Sequence, residues 1–263
     1  MASRSFKLTL AYDGTEFVGW QRQAAGTSIQ QLLEQAFALL EGQPVTVIGA
    51  GRTDAGVHAC GQVAHVSLQR DIDAPTIVRA LNNHLPPSVR VLDATQVPPS
   101  FHARFDARAK RYRYRIWNQP VLNPFERLYT WHIPGPRLDV DAMATAAAVL
   151  EGTHDFAAFQ TAGAETHTSE RVLFLSRITA ERPLITYDVR GNGFLRHMVR
   201  SIVGSLVEVG RGRYRPEWLT EVLLSKDRTR GGRTAPASGL FLVGVEYDEQ
   251  RREGSGTEPS PDL

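Results

Sequence analysis

The segment Gly49-Ala-Gly-Arg-Thr-Asp-Ala-Gly-Val-His-Ala-Cys60 sets a carboxylate, Asp54, beside Arg52 in a run punctuated by three glycines. Glycines at a strand end let backbone approach a ligand closely while a side chain is presented to it. On these residues alone two readings stay open: a tight turn in which Arg52 neutralises Asp54, or a carboxylate aimed at a substrate. Nucleotide-cofactor chemistry is excluded. A dinucleotide fingerprint begun at Gly49 and Gly51 needs a glycine where Asp54 stands, and a Walker loop needs Lys and Ser or Thr where Val57 and His58 stand. None of the eight histidines is followed by Glu, so there is no HExxH zinc helix, and no GxSxG elbow occurs. The single cysteine, Cys60, rules out an intramolecular disulfide and a cysteine-based zinc or iron-sulfur site.

A second stretch carries a different chemistry. Arg104, Arg108, Lys110, Arg111, Arg113 and Arg115 lie close together, with Asp106 the one acid among them. A solvated strand face is the plain reading of such a run. Phe105, Tyr112 and Tyr114 interleave the charges, and that favours RNA, whose bases stack on rings while cations meet phosphates. Arg211, Arg213, Arg215, Lys226, Arg228, Arg230 and Arg233 form a further basic stretch. The formal net charge is only +2 because the end of the chain is acidic, with Asp248, Glu249, Glu253, Glu258 and Asp262. Lys7, Lys110 and Lys226 are the only lysines among 30 basic residues. Arginine's planar fork suits phosphate, although a GC-rich genome gives the same bias, so the clustering carries the argument.

These residues need elements to position them. Phe6 to Tyr12 alternates apolar and polar and reads as a strand. Thr27 is expected to open a helix with Gln30 at the capping-box position and Gly42 at its end. Val45–Ile48 and Gln62–Leu68 read as strands flanking the Asp54 segment. Pro75–Leu85 reads as a helix and Ser88–Val97 as a strand. Arg111–Trp117 is a strand with Tyr112 and Tyr114 on one face and Arg111, Arg113 and Arg115 on the other. Tyr114 is expected in the core. A helix over Val140–Leu150, capped by Asp139, follows, then strands Val172–Glu181 and Leu184–Arg190. Gly193–Val209 reads as a long amphipathic helix, Pro216–Leu224 as a shorter one, and Gly239–Tyr247 as the last strand. Strands and helices without regular βαβ alternation predict an α+β protein with mainly antiparallel sheet. Hydrophobic residues make up 42% of the 263, enough to bury the core of one large domain or two ordinary ones. The expected division is residues 1–105, residues 106–248, and an acidic, disordered tail over 249–263. No stretch approaches the ~18 apolar residues of a membrane span. Nor does the run from Met1 have a signal peptide's apolar centre, so a cytoplasmic protein is expected.

Five segments in order closely resemble the TruA-type tRNA pseudouridine synthases. They are Ala11-Tyr-Asp-Gly-Thr-Glu-Phe-Val-Gly-Trp-Gln-Arg-Gln23, Gly51-Arg-Thr-Asp-Ala-Gly-Val-His-Ala59, Phe101-His-Ala-Arg-Phe105 with Arg111-Tyr-Arg-Tyr114, Asn192-Gly-Phe-Leu-Arg-His-Met-Val-Arg-Ser-Ile-Val-Gly204 and Ala235-Pro-Ala-Ser-Gly-Leu-Phe-Leu242. The resemblance implies isomerisation of uridine to pseudouridine at positions 38, 39 and 40 of the tRNA anticodon arm, with no cofactor and no metal. It implies two ferredoxin-like α/β units whose sheets meet at a catalytic cleft, in a homodimer. Asp54 matches the family's catalytic aspartate, acting as nucleophile at C1′ or as base at C2′, and Arg200 its basic partner. Tyr112 matches the tyrosine stacked on the flipped uracil, Leu240 the apolar residue on the other side, and Arg52 an arginine that guides the base. Phe101, His102, Ala103, Arg104, Phe105, Arg108, Lys110 and Arg111 are the expected RNA contacts. Gln160–Ser169 matches a tRNA-touching segment, yet lacks Arg and Lys, carries Glu165, and offers only His167 as a cation. An RNA-binding protein without catalysis and a synthase for another RNA are the rival readings.

Overall fold

Alternation of Phe6, Leu8, Leu10 and Tyr12, all buried, produces the first strand, β1 (Arg4–Tyr12), in a computed structural model that describes residues 3–161 and 168–248. Next come α1 (Ile29–Glu41), β2 (Ile48–Gly49), β3 (His58–Leu68), α2 (Ala74–His84) and β4 (Val89–Val97). The second half runs β5 (Ala109–Trp117), β6 (Trp131–His132), α3 (Val140–Ala148), β7 (Gly152–Asp155), β8 (Glu170–Glu181), β9 (Leu184–Gly191), α4 (Met198–Gly210), α5 (Trp218–Ser225) and β10 (Leu240–Glu246). The expected tail over 249–263 lies outside the described residues, as do Glu165 and His167 of the Gln160–Ser169 segment.

The strands form one sheet in the order β4-β1-β3-β10-β5-β9-β8-β7, with β2 on β3 and β6 on β5. Its pairs are antiparallel except β3 with β10 and β5 with β6. The α+β class with mainly antiparallel sheet is what the sequence predicts. The last strand does the joining: β10 lies between β3 and β5, so the sheets of the two halves meet edge to edge there. α2 packs on β4 and α3 on β8 and α4. No helix of the described residues is long and apolar enough to cross a membrane.

Several boundaries differ from expectation, β3 beginning at His58 rather than Gln62 among them, and four of the differences have a local reason. α1 is capped by Ser28, whose Oγ accepts from the Gln31 amide at 3.2 Å, and not by Thr27. The Thr27 carbonyl is already taken by the Val18 amide, and Gln30 uses its side chain on the Arg22 amide and the Val47 carbonyl. The strand expected over Val45–Ile48 shrinks to β2 because Glu34 and Gln30 of α1 hold both the N–H and the carbonyl of Val47. α5 begins at Trp218, two residues past Pro216, after tight turns from the Arg215 and Pro216 carbonyls. α4 starts at Met198, five residues later than the apolar pattern suggests, because His197 has φ 61° and breaks the helix. That break releases Gly193–His197 as a loop.

Gly204 in α4 explains how the chain returns across this helix. A Cβ there would lie 1.6 Å from the Arg233 carbonyl oxygen, so only glycine lets the strand-like segment before β10 lie against α4.

Candidate active site

Asp54 is held in place by contacts on both sides of its turn. The Tyr12 phenol at the end of β1 shares a hydrogen bond with Thr53 Oγ1 at 2.8 Å. The Trp20 amide donates to the Thr53 carbonyl at 3.0 Å, and the Val57 amide closes the turn onto the Asp54 carbonyl at 3.1 Å. Gln62 Nε2 of β3 donates to the Gly51 carbonyl at 2.9 Å. Gly19, with φ +103°, passes so close that a Cβ would stand 2.5 Å from the Thr53 carbonyl oxygen. Burial pushes the Tyr12 phenol up to about 12, so it stays a neutral hydrogen-bonding post.

His58, the first residue of β3, pins the same turn, a role that sequence reasoning missed. Its Nε2 meets two carbonyl oxygens, those of Leu128 at 3.1 Å and Ser238 at 3.2 Å, so Nε2 carries the hydrogen. Nδ1 accepts from the Gly14 amide at 3.0 Å, and the ring is therefore neutral. Burial holds its pKa below the ordinary value, outweighing Asp13, whose Oδ1 is 3.1 Å from Nδ1. One ring thus ties the loop after β1, the Asp54 motif and the start of β10, where Phe241 stacks on it at 4.7 Å.

Arg200 comes to Asp54 from 146 residues away, on the first turn of α4. Its Nε donates to the Ala235 carbonyl at 2.7 Å, and a terminal nitrogen donates to Asp54 Oδ2 at 3.1 Å. The carbonyl fixes the plane of the guanidinium, so the cation faces the carboxylate in one orientation. His197 places Nε2 at 3.4 Å from the same oxygen.

Tyr112 lies beside this pair on β5. It is buried, and burial first, then Tyr12 and the Asp54 charge, drives its pKa well above the ordinary phenol value. Phe194, from the loop that His197 releases, packs edge-on against its ring at 5.0 Å. Leu240 opens β10 opposite Tyr114, and Leu242 is opposite Tyr112, so the four share one face of the sheet. Tyr114 is fully buried and donates to the Pro236 carbonyl, a core residue as expected. A carboxylate clamped by a cation, next to a buried aromatic ring, suits chemistry on an extruded base.

The model of the family described as tRNA pseudouridine synthase matches residues 9–106 and 146–248. The chain belongs to this family. It is 45% identical over 244 residues to the tRNA pseudouridine synthase A of Pelobacter propionicus, covering 93% of this chain and 100% of that protein. To that of Solidesulfovibrio magneticus it is 49% identical over 248 residues, 92% of this chain and 90% of the relative. To that of Myxococcus xanthus it is 45% identical over 260 residues, 97% and 98% of the two chains.

In this member of the tRNA pseudouridine synthase family, the residues expected to meet RNA have very different surroundings. Phe101 and Ala103 are buried with Ala50 and Val63, and Ala103 is tied by its backbone to His65 and Tyr247. His102 Nδ1 accepts from the Arg104 and Phe105 amides and shapes the loop. Phe105 is exposed, with the Arg104 guanidinium 5.7 Å from its ring centre. The basic face of β5 is as the alternation predicts, but much of it is already paired. Arg111 and Arg113 share Asp188 at 3.2 and 3.1 Å, Arg115 meets Glu126 at 3.0 Å, and Arg108 meets Asp248 at 2.6 Å. Lys110 has no carboxylate partner among the described residues. Burial, then Arg104 and Arg171, pull its ammonium down to about 8. A Cβ on Gly51 would be 3.3 Å from Lys110 Nζ, which puts this cation against the Asp54 motif. Arg52 is exposed and makes no ion pair among the described residues. In the later basic stretch Arg211 and Arg213 pair with Glu208, and Lys226 with Asp155. Among the described residues no group of three or more His, Cys, Asp or Glu is placed to hold a metal.

Phe194 and His197 lie in the Asn192–Gly204 segment that resembles the family, but the helical pattern that runs straight through them gives neither a role of its own.

Proposed function

We propose that this chain isomerises uridine to pseudouridine in tRNA, at positions 38, 39 and 40 of the anticodon arm, with Asp54 as its essential carboxylate. The observation that carries the reading is Arg200 at 3.1 Å from Asp54 Oδ2, with the buried Tyr112 ring alongside. The uridine must leave the stack before C1′ and C5 can be reached, and Tyr112 gives the flipped base an aromatic floor. Leu240, on the same sheet face as Tyr112, is the apolar residue on the other side of the base, and Arg52, exposed at the motif, guides the base inward. In the attack route an Asp54 oxygen bonds to C1′ as the C1′–N1 pair departs into uracil. The base turns, C5 takes C1′ back from the carboxylate, and the C5 proton is lost while N1 gains one. In the alternative route Asp54 removes the proton at C2′. Neither route uses a cofactor or a metal.

The tRNA backbone is held by cations around Lys110 and Arg104, and by Arg108 and Arg111 after exchange of their carboxylates for phosphate. Phe105, on the loop that Phe101, His102 and Ala103 shape, offers a ring for stacking. The working unit is a homodimer, as the resemblance implies, acting in the cytoplasm, as the sequence composition suggests. Incubation of the protein with an unmodified tRNA transcript, followed by mapping of pseudouridine, tests the reading. Product confined to positions 38–40 is the expected result. Product elsewhere would overturn the target, and tRNA binding without product would overturn the chemistry.

A further inference from the structure

The two oxygens of Asp54 have unequal surroundings. Oδ2 faces Arg200 at 3.1 Å and His197 Nε2 at 3.4 Å, whereas Oδ1 has no hydrogen-bond partner among the described residues. His197 is itself fixed from behind. Thr161 Oγ1 lies 2.8 Å from its Nδ1, and the Thr161 amide meets the Arg196 carbonyl at 3.3 Å. The ring can present Nε2 to Asp54 only because His197 takes φ 61° immediately before α4, a conformation that Asn adopts readily and most other side chains resist.

We propose that His197 is a positioning residue for the reaction: held by the Thr161 hydroxyl, it turns Oδ2 away as the anchored oxygen and leaves Oδ1 as the one that reacts. The proposal rests on the reading of Asp54 as the catalytic carboxylate. Oδ2 is an acceptor only, so Nε2 carries the hydrogen and Thr161 donates to Nδ1. Burial lowers the His197 pKa, against the pull of Asp54 and together with Arg200, Arg196 and Arg228, which keeps the ring neutral near neutral pH. Neutrality matters. A second cation on Oδ2 would drain the basicity of the carboxylate, whereas a neutral N–H fixes its direction and leaves the charge available. The 3.4 Å separation is longer than a finished hydrogen bond, and catalytic contacts of this kind tighten when substrate fills the site.

Two substitutions separate positioning from scaffold. His197→Asn keeps the left-handed backbone and can still meet Thr161, but is too short to reach Asp54. His197→Gln carries its amide nitrogen about as far as Nε2. With enzyme in excess over tRNA, His197→Asn should lower the single-turnover rate about tenfold, the loss of one hydrogen bond to a charged group. His197→Gln should recover to within about threefold of wild type, and neither should change the Kd for tRNA more than about twofold. Thr161→Val, which leaves the backbone untouched, should slow the same step severalfold, and it carries the test if His197→Asn fails to fold. An unchanged rate in His197→Asn, equal losses in the Asn and Gln variants, or an unchanged rate in Thr161→Val would overturn the proposal. Asp54→Asn is run beside them: if it makes pseudouridine, the reading of Asp54 has failed, whereas an inactive Asp54→Asn with a wild-type His197→Asn removes the role of His197 alone.

Discussion

Tyr112 is a buried phenol whose hydroxyl has no hydrogen-bond partner among the described residues, so its ring is what the fold has fixed. Tyr112→Ala should weaken binding of an anticodon stem-loop by roughly 1–3 kcal/mol, the range for base-aromatic stacking, while Tyr112→Phe should bind like wild type. Equal losses in both variants, measured by titration, would assign the effect to the hydroxyl. His58 leads to a prediction about pH. Its folded pKa lies below the ordinary value of 6.5, so the unfolded chain binds the extra proton first on acidification. The stability contributed by neutral His58 is complete above about pH 6.5 and declines as pH falls below it. The buried His65 and His197 beside Asp54 shift in the same direction and add to the slope. Thermal midpoints of His58→Gln should therefore fall less steeply between pH 6.5 and 5 than those of wild type, from a lower starting value. A parallel pair of curves would contradict the neutral tautomer assigned to the ring.

At the scale of elements, the ion pairs of β5 govern which of its cations are open to the phosphates of the proposed tRNA substrate. Arg111 and Arg113 must give up Asp188 before they meet a phosphate, whereas Lys110 and Arg104 form no ion pair with a carboxylate among the described residues. Lys110→Met and Arg104→Ala should each flatten the dependence of log K on log salt more than Arg113→Ala does. A phosphate near Lys110 also favours its charged form, so tRNA affinity should fall as pH rises past about 8, and Lys110→Arg should abolish that fall. Binding that ignores pH from 7 to 9 would remove Lys110 from the RNA surface. β5 itself was legible in the sequence, since alternation of rings and arginines is a purely local signal, and β1 and α1 were legible for the same reason. The shortened β2 was not, because side chains of α1 intercept its backbone groups. The late start of α4 was not, because the apolar pattern continues through a residue that leaves the helical region. Of the site, Asp54, Arg200 and Tyr112 were named through a resemblance across five segments, whereas the contacts of His197 and His58 depend on partners that no local spacing encodes.

Across the whole molecule, β10 brings the halves together. By pairing with β3 on one side and β5 on the other, it sets the Asp54 turn of the first half against Arg200 and Tyr112 of the second. Neither half contains the site alone, and under the proposed function this junction makes the isomerising centre, with its chemistry passing through one carboxylate. Asp54→Asn tests it most directly, since the amide keeps the size and turn preference of the side chain but neither attacks C1′ nor accepts the C2′ proton. The measurement is a pseudouridine map of unmodified tRNA after incubation with wild-type protein and with Asp54→Asn of matched folding and tRNA affinity. Wild type should give pseudouridine at positions 38–40 and Asp54→Asn none, while product from a verified Asp54→Asn preparation would overturn the role of Asp54.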